Sequence, residues 1–429
     1  MSFQQGLSGL NASSKNLSVI GNNIANANTF GAKTSRAEFA DVYAAALNGA
    51  GANNIGIGTN LVSVAQQFTQ GNISTTENPM DLAINGAGFF QLGKDGSPPH
   101  YTRNGQFKVD RDGFFVNNSG MRLMGYPADS NGVIQPGQAM ALQLPTGGVA
   151  PKITERIDIQ ANLDSRERAT GLAASPGINF SDATTYNKAT SLTVYDVRGQ
   201  EVALTLYFQK TDTVNPPPAD PNEITWNIFA TANGVPVGPA TPTPITTVVF
   251  PADGLAPQLP AARVQIPLIE AGTNNQGALT VPIPNVSIDL AALTQFGSPF
   301  GVTDLRQDGF SAGQLTSVGI EPNGIVMARY SNGRSTPAGQ IEIANFRNPQ
   351  GLQPIGNNAW LSTFASNEPV RGVPGEGNLG VLQAAALEGS NVDLTGELVN
   401  MITAQRIYQA NAQTIKAQDQ VLQTLVNLR

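Results

Sequence analysis

Three short patterns in this 429-residue sequence contain residue types that carry chemistry in other proteins. The first is residues 375–380, Gly-Glu-Gly-Asn-Leu-Gly, which has the glycine spacing of a dinucleotide-binding loop. Such a loop follows a buried apolar strand directly. Residues 368–374 instead contain two prolines, a glutamate and an arginine, which a central strand does not accept. The pattern therefore indicates a flexible linker.

The second and third patterns also favour structure over catalysis. Residues 110–113, Asp-Arg-Asp-Gly, lack the third carboxylate position and the closing glutamate of a calcium loop, so they indicate a hairpin turn. His100, the only histidine, follows two prolines, and no Gly-x-Ser-x-Gly elbow accompanies it. Spacing singles out no pair of carboxylates. We therefore predict a protein that is not an enzyme, with no catalytic residue, no cofactor and no metal site.

Composition limits the class of protein further. The absence of cysteine and the single histidine exclude disulfides and cysteine or histidine metal sites. A net charge of −7 argues against nucleic acid as a partner. No apolar run is long enough to predict membrane insertion, and the first residues lack the basic segment and apolar core of a cleaved signal. We expect a cytosolic protein or one that is exported without such a signal.

We predict a C-terminal helix over residues 394–428, which is the first of the elements that would position a functional surface. Ser390 or Asp393 can cap its start, and no glycine or proline follows Gly396. Its seam steps alternately by three and four residues, as in a coiled coil. The seam residues are Leu394, Leu398, Met401, Gln405, Tyr408, Ala412, Ile415, Asp419, Leu422 and Val426.

A second, narrower stripe predicts a helix over residues 1 to about 30. Its members are Phe3, Leu7, Leu10, Ser14, Leu17, Gly21, Ile24 and Asn28. Stripes at both ends of one chain suggest that the termini pack together and that the middle is looped out. Two ordinary amphipathic helices on a globular core remain the alternative.

Between the helices, apolar residues alternate with polar ones and Asn-Gly and Asp-Gly turns recur, which predicts antiparallel β structure. A glycine- and proline-rich boundary near residues 145–170 separates two β regions. We predict an α+β multidomain fold with paired terminal coiled-coil helices and two nested β domains. The helical domain comprises 1–71 and 388–429, the middle β domain 72–148 and 310–387, and the outer β domain 149–309.

Several blocks resemble the bacterial flagellar rod and hook axial protein family. The N-terminal block, residues 20–31, is Ile-Gly-Asn-Asn-Ile-Ala-Asn-Ala-Asn-Thr-Phe-Gly, and residues 81–90 and 387–394 resemble two further shared blocks. The signature residues are Asn22, Asn23, Asn26, Thr29, Gly31, Asn391 and Asp393. Residues 101–107, 125–127, 162–165, 186–188 and 194–196 are similar to the hook members, and the likeness is weakest over 210–310.

The resemblance implies a structural subunit that polymerises into a curved hollow tube and acts as a universal joint for motor torque. The implied partners are further copies of the chain, the distal rod, hook cap and hook–filament junction proteins, and the flagellar export gate. The implied location is the extracellular hook, reached through the type III apparatus. Phe39 and Tyr43, or Phe3 and Leu7, fit the loose spacing of an export-gate segment.

Two rival interpretations remain open at this point. Within the family, the chain is a distal rod or hook–filament junction protein, since these members share both terminal blocks. Outside it, the chain is a secreted β-rich adhesin or hydrolase whose helical ends merely oligomerise. That second rival predicts a monomer or closed oligomer with a pocket of converging polar groups.

Overall fold

The computed structural model places two long helices at the ends of the chain and strands between them. It describes residues 2–42, 56, 58–94, 96–129, 132–145, 147–171, 177–211, 224–239, 241–251 and 253–427. The side chains of residues 2 and 425–427 lie outside this set, so the predicted seam position Val426 is not described, and neither is Tyr43. Within the described residues, neither helix is long and apolar enough to cross a membrane.

The elements follow one another in the predicted order of helix, strands and helix. The helices are α1 (Ser2–Ala25) and α2 (Leu394–Asn427), with short 3₁₀ turns at Pro349–Gly351 and Phe364–Ser366. The strands are β1 (Ser35–Val42), β2 (Gly58–Gln66), β3 (Ile73–Thr75), β4 (Leu82–Asn85), β5 (Phe89–Gly93), β6 (His100–Thr102), β7 (Lys108–Val109), β8 (Phe115–Val116), β9 (Arg122–Pro127), β10 (Met140–Ala141), β11 (Arg156–Asn162), β12 (Lys188–Tyr195), β13 (Glu201–Thr211), β14 (Ile224–Ala232), β15 (Val235–Pro236), β16 (Thr246–Phe250), β17 (Val264–Gln265), β18 (Ser287–Thr294), β19 (Gly301–Gln307), β20 (Leu315–Ile320), β21 (Ile325–Tyr330), β22 (Ser335–Ile341), β23 (Ile343–Asn345), β24 (Gln353–Gly356), β25 (Ala359–Leu361), β26 (Val370–Gly372), β27 (Val381–Ala384) and β28 (Ala386–Glu388).

The chain forms two compact units. Unit 1 comprises Met1–Thr146, Thr316–Arg329 and Ser335–Arg429, and unit 2 comprises Gly147–Leu315 and Tyr330–Arg334. Unit 1 therefore contains both the predicted helical domain and most of the predicted middle domain. The separation of those two domains, like the exact nesting of the outer one, stays a prediction.

Unit 1 is built on a large sheet whose strands run in the order β20-β21-β22-β9-β5-β6-β25-β24. Strand β5 reads Phe-Phe-Gln-Leu-Gly, and its first four residues are buried because neighbouring segments cover both faces. Phe90 and Leu92 belong to the main apolar core of this unit. Phe89 belongs to a second cluster, where its ring lies edge-on to Trp360 with centroids 5.8 Å apart.

Unit 2 contains two sheets, β12-β13-β14-β15 with β16 on β14, and β17-β18-β11-β19. In β13, Val202, Leu204, Leu206 and Phe208 are buried while the residues between them are partly exposed, so the alternation seen in the sequence selects the core face. In this unit β11 pairs with β18 in parallel, whereas the pairs β11–β19, β12–β13, β13–β14 and β14–β16 are antiparallel. The predicted α+β fold with terminal helices and mainly antiparallel sheets is confirmed.

The only two tryptophans, Trp226 and Trp360, lie in different units, so each can report one core. In a Trp360→Phe background, Leu204→Ala is expected to lower the free energy of unfolding reported by Trp226 by about 2–5 kcal/mol, because it leaves a cavity beside fully buried neighbours. Urea unfolding followed by fluorescence measures this. Val197→Ala, at an exposed position, is the control and should leave the midpoint unchanged. Equal effects of the two variants would contradict the core assignment.

Candidate functional site

The two terminal helices contact each other in an antiparallel arrangement. Near one end of the pair, Gly6 faces Ile415, and near the other, Asn23 donates a hydrogen bond to Glu397 Oε1 at 3.3 Å. A Cβ added to Gly6 would lie 3.0 Å from Ile415 Cγ1, and one added to Gly9 would lie 2.9 Å from Asn411. Glycine at these positions therefore allows the close approach of α1 and α2.

The buried stripe of α1 is offset from the predicted one. Its buried residues are Gly6, Ser13, Ile20 and Asn23, which are mostly small or polar. Leu10, Leu17 and Ile24 of the predicted seam are half-buried. In the single chain these seam residues are only partly covered, and small residues, Gly6 and Gly9, occupy the close approach to α2.

Much of the predicted seam instead faces outward in the single chain. On α1, Phe3 is 46% exposed and Leu7 is similar. On α2, Leu398 is 46% and Leu422 54% exposed, while Met401 and Ile415 are half-buried. Leu394 and Tyr408 are exposed as well, as are four apolar neighbours outside the predicted seam, Val399, Ile402, Ile407 and Val421. Such apolar surface is typical of an association site. That the seam residues hold a polymer together stays a prediction.

A buried ion network fixes the segments that lead into the helices. Glu388, at the end of β28, accepts a hydrogen bond from Lys33 Nζ at 2.6 Å and one from Arg103 Nη1 at 3.0 Å. The backbone N–H of Gly71 donates to the same carboxylate at 3.0 Å. All three charged side chains are buried. One carboxylate thus joins the segment after α1, the end of β6 and the segment before α2.

Burying the three charges of this network costs free energy, which their mutual attraction offsets. Burial lowers the pKa of Lys33, although the adjacent Glu388 opposes that shift, and burial lowers the pKa of Arg103 in the same way. Backbone carbonyls accept further hydrogen bonds from both cations, with Lys33 Nζ 2.8 Å from Thr69 O and Arg103 Nη2 2.8 Å from Gly86 O. Removing the shared anion would leave two cations buried without compensation.

Two asparagines of the family signature act as backbone partners at this junction. Asn23 Oδ1 accepts from Ser35 N at 2.9 Å, and its Nδ2 donates to Ser35 O at 2.7 Å. Asn391 Oδ1 accepts from Thr34 N at 2.7 Å, and its Nδ2 donates to Gln67 O at 2.8 Å. Each amide thereby pairs with strand-like backbone and holds a helix against the β1–β2 hairpin.

The other signature residues shape the ends of the helices. Asn26 Nδ2 donates to Asn22 O at 2.9 Å where α1 ends, and Thr29 Oγ1 lies 3.5 Å from Asn26 Oδ1. Gly31 has a φ of +72° and donates its N–H to Glu388 O at 2.8 Å. Asp393 Oδ1 accepts from Thr395 N at 3.0 Å, which caps α2 as the sequence suggests.

The remaining sequence patterns lie in ordinary structural positions. Residues 375–380 form a turn between β26 and β27, and residues 110–113 form a tight turn in which Asp110 Oδ1 accepts from Phe114 N at 2.8 Å. Phe39 lies in β1, opposite Leu61, and is partly exposed. Its role in export stays a prediction. In the described part of the chain, no group of three His, Cys, Asp or Glu residues is placed to hold a metal ion.

Comparison with protein families accounts for most of the chain. Residues 3–33 match the family described as "Flagella basal body rod protein", and 83–165 match "Flagellar hook protein FlgE/F/G D1 domain". Residues 162–310 match "Flagellar basal body protein FlaE D2 domain", and 383–428 match "Flagellar basal body rod FlgEFG protein C-terminal". The four matches follow the same order as the helix, the β regions and the helix.

Full-length relatives decide between the members of this group. The flagellar hook protein FlgE of Salmonella typhimurium (strain LT2) is 39% identical over 100% of both chains. The chain belongs to the flagellar hook protein family. The FlgE proteins of Escherichia coli (strain K12), 38% identical over all of both chains, and of Borreliella burgdorferi, 32% identical over 100% of this chain and 99% of the other, agree. The hook assignment is confirmed, and the chain is a structural hook subunit.

A solved structure supports the fold of this hook subunit. The crystal structure of Helicobacter pylori flagellar hook protein FlgE2 superposes with a TM-score of 0.55 and covers 73% of this chain and 100% of that one. At 16% identity the likeness concerns the fold alone. The family is a structural one, which agrees with the prediction of a protein that is not an enzyme.

Replacement of the shared anion tests the ion network. Glu388→Gln is expected to lower the free energy of unfolding of unit 1 by about 3–5 kcal/mol, because Lys33 and Arg103 would remain buried without a carboxylate. Urea unfolding of a Trp226→Phe background, followed through Trp360, measures the change. Glu38→Gln, which removes an exposed ion pair with Arg36, is the control and should not move the midpoint. A similar midpoint for both variants would contradict the structural role of Glu388.

Paired glycine substitutions test the turn after α1. Gly31→Ala is expected to cost more than about 1 kcal/mol, because φ is positive and a Cβ would lie 2.6 Å from Asn104 N. Gly21→Ala is the matched change inside α1, where a Cβ meets nothing within 4 Å, and it should stabilise by up to about 1 kcal/mol. Thermal unfolding followed by the helical circular dichroism signal measures both. Stabilisation by both substitutions would overturn the assignment of Gly31.

Proposed function

We propose that this hook subunit polymerises with further copies of itself into a curved hollow tube that acts as a universal joint and transmits motor torque to the filament. The observation that carries the proposal is the exposed apolar surface of the terminal helices. It includes Phe3 and Leu7 on α1 and Leu394, Leu398 and Leu422 on α2. One α1–α2 contact within a chain leaves this surface in water, and neighbouring copies in a polymer supply the missing cover.

The energetics favour coupling between assembly and the ordering of the helices. Full burial of a leucine side chain contributes about 1.5–3 kcal/mol, so covering the exposed halves of several such residues contributes several kcal/mol per subunit. Binding between copies stabilises the folded helices by mass action. Helix α2 has 34 residues and packs on one helix, α1, in the described part of the chain, so it gains most from that cover.

The finer assignments follow from the proposed place in the hook. We infer export through the flagellar type III apparatus, with Phe39 or the segment from Phe3 to Leu7 read at the export gate. The distal rod, the hook cap and the hook–filament junction proteins are the proposed neighbours of the tube. The proposed role is mechanical, with no catalysis and no cofactor. The rival interpretation, a secreted β-rich adhesin or hydrolase whose helical ends merely oligomerise, gains no support from the family.

Polymerisation through α2 is tested by changing one exposed leucine. Leu398→Gln keeps a good helix former but removes apolar area, so it should raise the protein concentration needed for assembly about tenfold, since a lost contribution of about 1.4 kcal/mol corresponds to that factor. Sedimentation and negative-stain electron microscopy under salting-out conditions measure the change.

The control substitution is Val197→Gln. Val197 is 57% exposed and lies outside the terminal helices, so its replacement should leave the assembly concentration within about twofold of the wild type. Tubes of both variants at the wild-type concentration would contradict the proposed role of α2, and discrete particles from the unmodified chain would contradict polymerisation itself.

A further inference from the structure

Phe364 has the most exposed large apolar side chain among the described residues. It is fully exposed, at 102% of the reference value, and the next in order, Leu279, reaches 73%. A side chain with this exposure is not covered by any other part of its own chain. The fold of the single chain therefore does not explain a benzyl group at this position, where it keeps apolar surface in water at a cost in free energy.

The backbone that carries Phe364 is held firmly in a 3₁₀ turn. A capping box closes the turn, in which Thr363 Oγ1 accepts from Ser366 N at 3.4 Å and Ser366 Oγ accepts from Thr363 N at 2.9 Å. Thr363 Oγ1 also donates to Gly351 O at 2.6 Å. A Cβ added to Gly351 would lie 2.5 Å from Ser366 N, so the neighbouring 3₁₀ turn packs closely against this one. Little backbone freedom is left to lose when the ring docks on a partner.

The same unit contains a cavity that is large enough for this ring. The cavity has a volume of about 560 Å³ and lies beside the strands β5, β9 and β26. Pockets of this size hold small organic groups. Its described lining includes no residue of the segment 349–366, so the cavity and Phe364 belong to different surfaces of unit 1. The lining residues that carry the argument are Arg122, Met124, Tyr126, Ala139 and Arg371.

The lining has the residue types that contact aromatic rings favourably. The thioether of Met124 can contact a ring edge, and the ring of Tyr126 can pack edge to face with a second ring. The guanidinium group of Arg371 can lie over a ring face. Arg122 already makes such a contact within its own chain, since its Cζ lies 4.1 Å from the centroid of the Phe114 ring. The positive charges of the cavity thus complement the negative face of a phenyl ring.

The polar atoms of the cavity wall do not oppose an aromatic occupant. Among the described residues, Gln91 Oε1 and Glu342 Oε2 have no hydrogen-bond partner, and both atoms are already shielded from solvent. A ring in the cavity therefore removes no water from these two oxygens. The edge of an aromatic ring carries positive partial charge, which suits neighbouring acceptor oxygens.

We propose that Phe364 of one copy inserts into this cavity of a second copy, an inference that rests on the polymerisation proposed above. The fully exposed ring of Phe364 does not fill the cavity of its own chain. A protruding group and its receptor on different surfaces of one subunit make a head-to-tail contact. Such contacts extend from copy to copy and produce open helical polymers when they do not close into a ring. The proposed contact acts in addition to the cover of the terminal helices.

Replacement of Phe364 separates this role from a role in the fold. Phe364→Ala should leave the urea midpoint of the unassembled chain unchanged, because the side chain is fully exposed. It should raise the protein concentration needed for sedimenting polymer at least about tenfold, as expected of a central aromatic contact. Leu279→Ala, at the next most exposed position, is the control and should stay within about twofold of the wild type. An unchanged assembly concentration for Phe364→Ala, or a lowered urea midpoint, overturns the proposal.

Cross-linking between two copies tests the position of the contact. The chain contains no cysteine, so chains with Phe364→Cys can be mixed with chains that carry Ala139→Cys in the cavity lining. In the mixed polymer, a short bismaleimide should join these chains at least ten times more often than it joins Ala139→Cys chains to Val197→Cys chains. Equal yields of the two mixtures would contradict insertion into the cavity.

A methyl titration tests the same recognition without assembly. The probe is the peptide N-acetyl-Ser-Thr-Phe-Ala-Ser-amide, which copies residues 362–366, and its match has alanine in place of phenylalanine. Added to the full chain with Phe364→Ala, the probe should shift the labelled methyl signal of Met124 saturably through the ring current, with at least tenfold weaker binding of the match. No shift, or equal binding of both peptides, overturns the assignment of the cavity. Discrete particles from the unmodified chain would refute the proposed polymerisation, and this titration would still decide whether the cavity accepts the Phe364 segment.

Discussion

The structure of unit 1 depends on the Glu388 carboxylate, which holds Lys33 and Arg103 in a buried network. The cost of burying three charges is offset only while all of them remain in hydrogen-bonding geometry. The network therefore stabilises the observed arrangement of the segment after α1, the end of β6 and the segment before α2. The amides of Asn23 and Asn391 add backbone pairing to the same arrangement. The end of α1 and the start of α2 are therefore held together although the two helices lie at opposite ends of the chain.

Holding the ends of α1 and α2 in place does not bury the apolar surface of these helices. Gly6 and Gly9 let α1 approach Ile415 and Asn411 of α2 closely. Phe3 and Leu398, in contrast, remain about half exposed. Burial of that surface against neighbouring copies is the proposed link between this fold and a polymeric hook.

Periodicity in the sequence predicted the parts of the fold that depend on local rules. The alternation of Leu204 and Phe208 selected the core face of β13, and Asp393, one of the two predicted caps, caps α2. The same reasoning located the apolar stripes but could not say whether the partner belongs to the same chain or to another one. Small residues such as Gly6 and Ser13 carry no apolar signal, so their contact role was missed.

Local rules could not predict the charged network for a different reason. Lys33 and Glu388 are 355 positions apart and come together only through the fold. The only feature of the sequence that pointed to this network was a single charged residue, Glu388, directly after the apolar pair Ala386-Leu387. Such a signal indicates burial of a charge but cannot name its partner.

The most direct test of the central claim measures whether assembly covers the outward face of α2. The chain contains no cysteine, so Leu398→Cys introduces a single thiol at that face without a large loss of apolar character. The rate of maleimide labelling is compared between the free subunit and the polymer, with Val197→Cys as the reference outside the helices. Labelling at position 398 at least ten times slower in the polymer, relative to the reference, is the predicted result. Equal rates in both states would contradict the account.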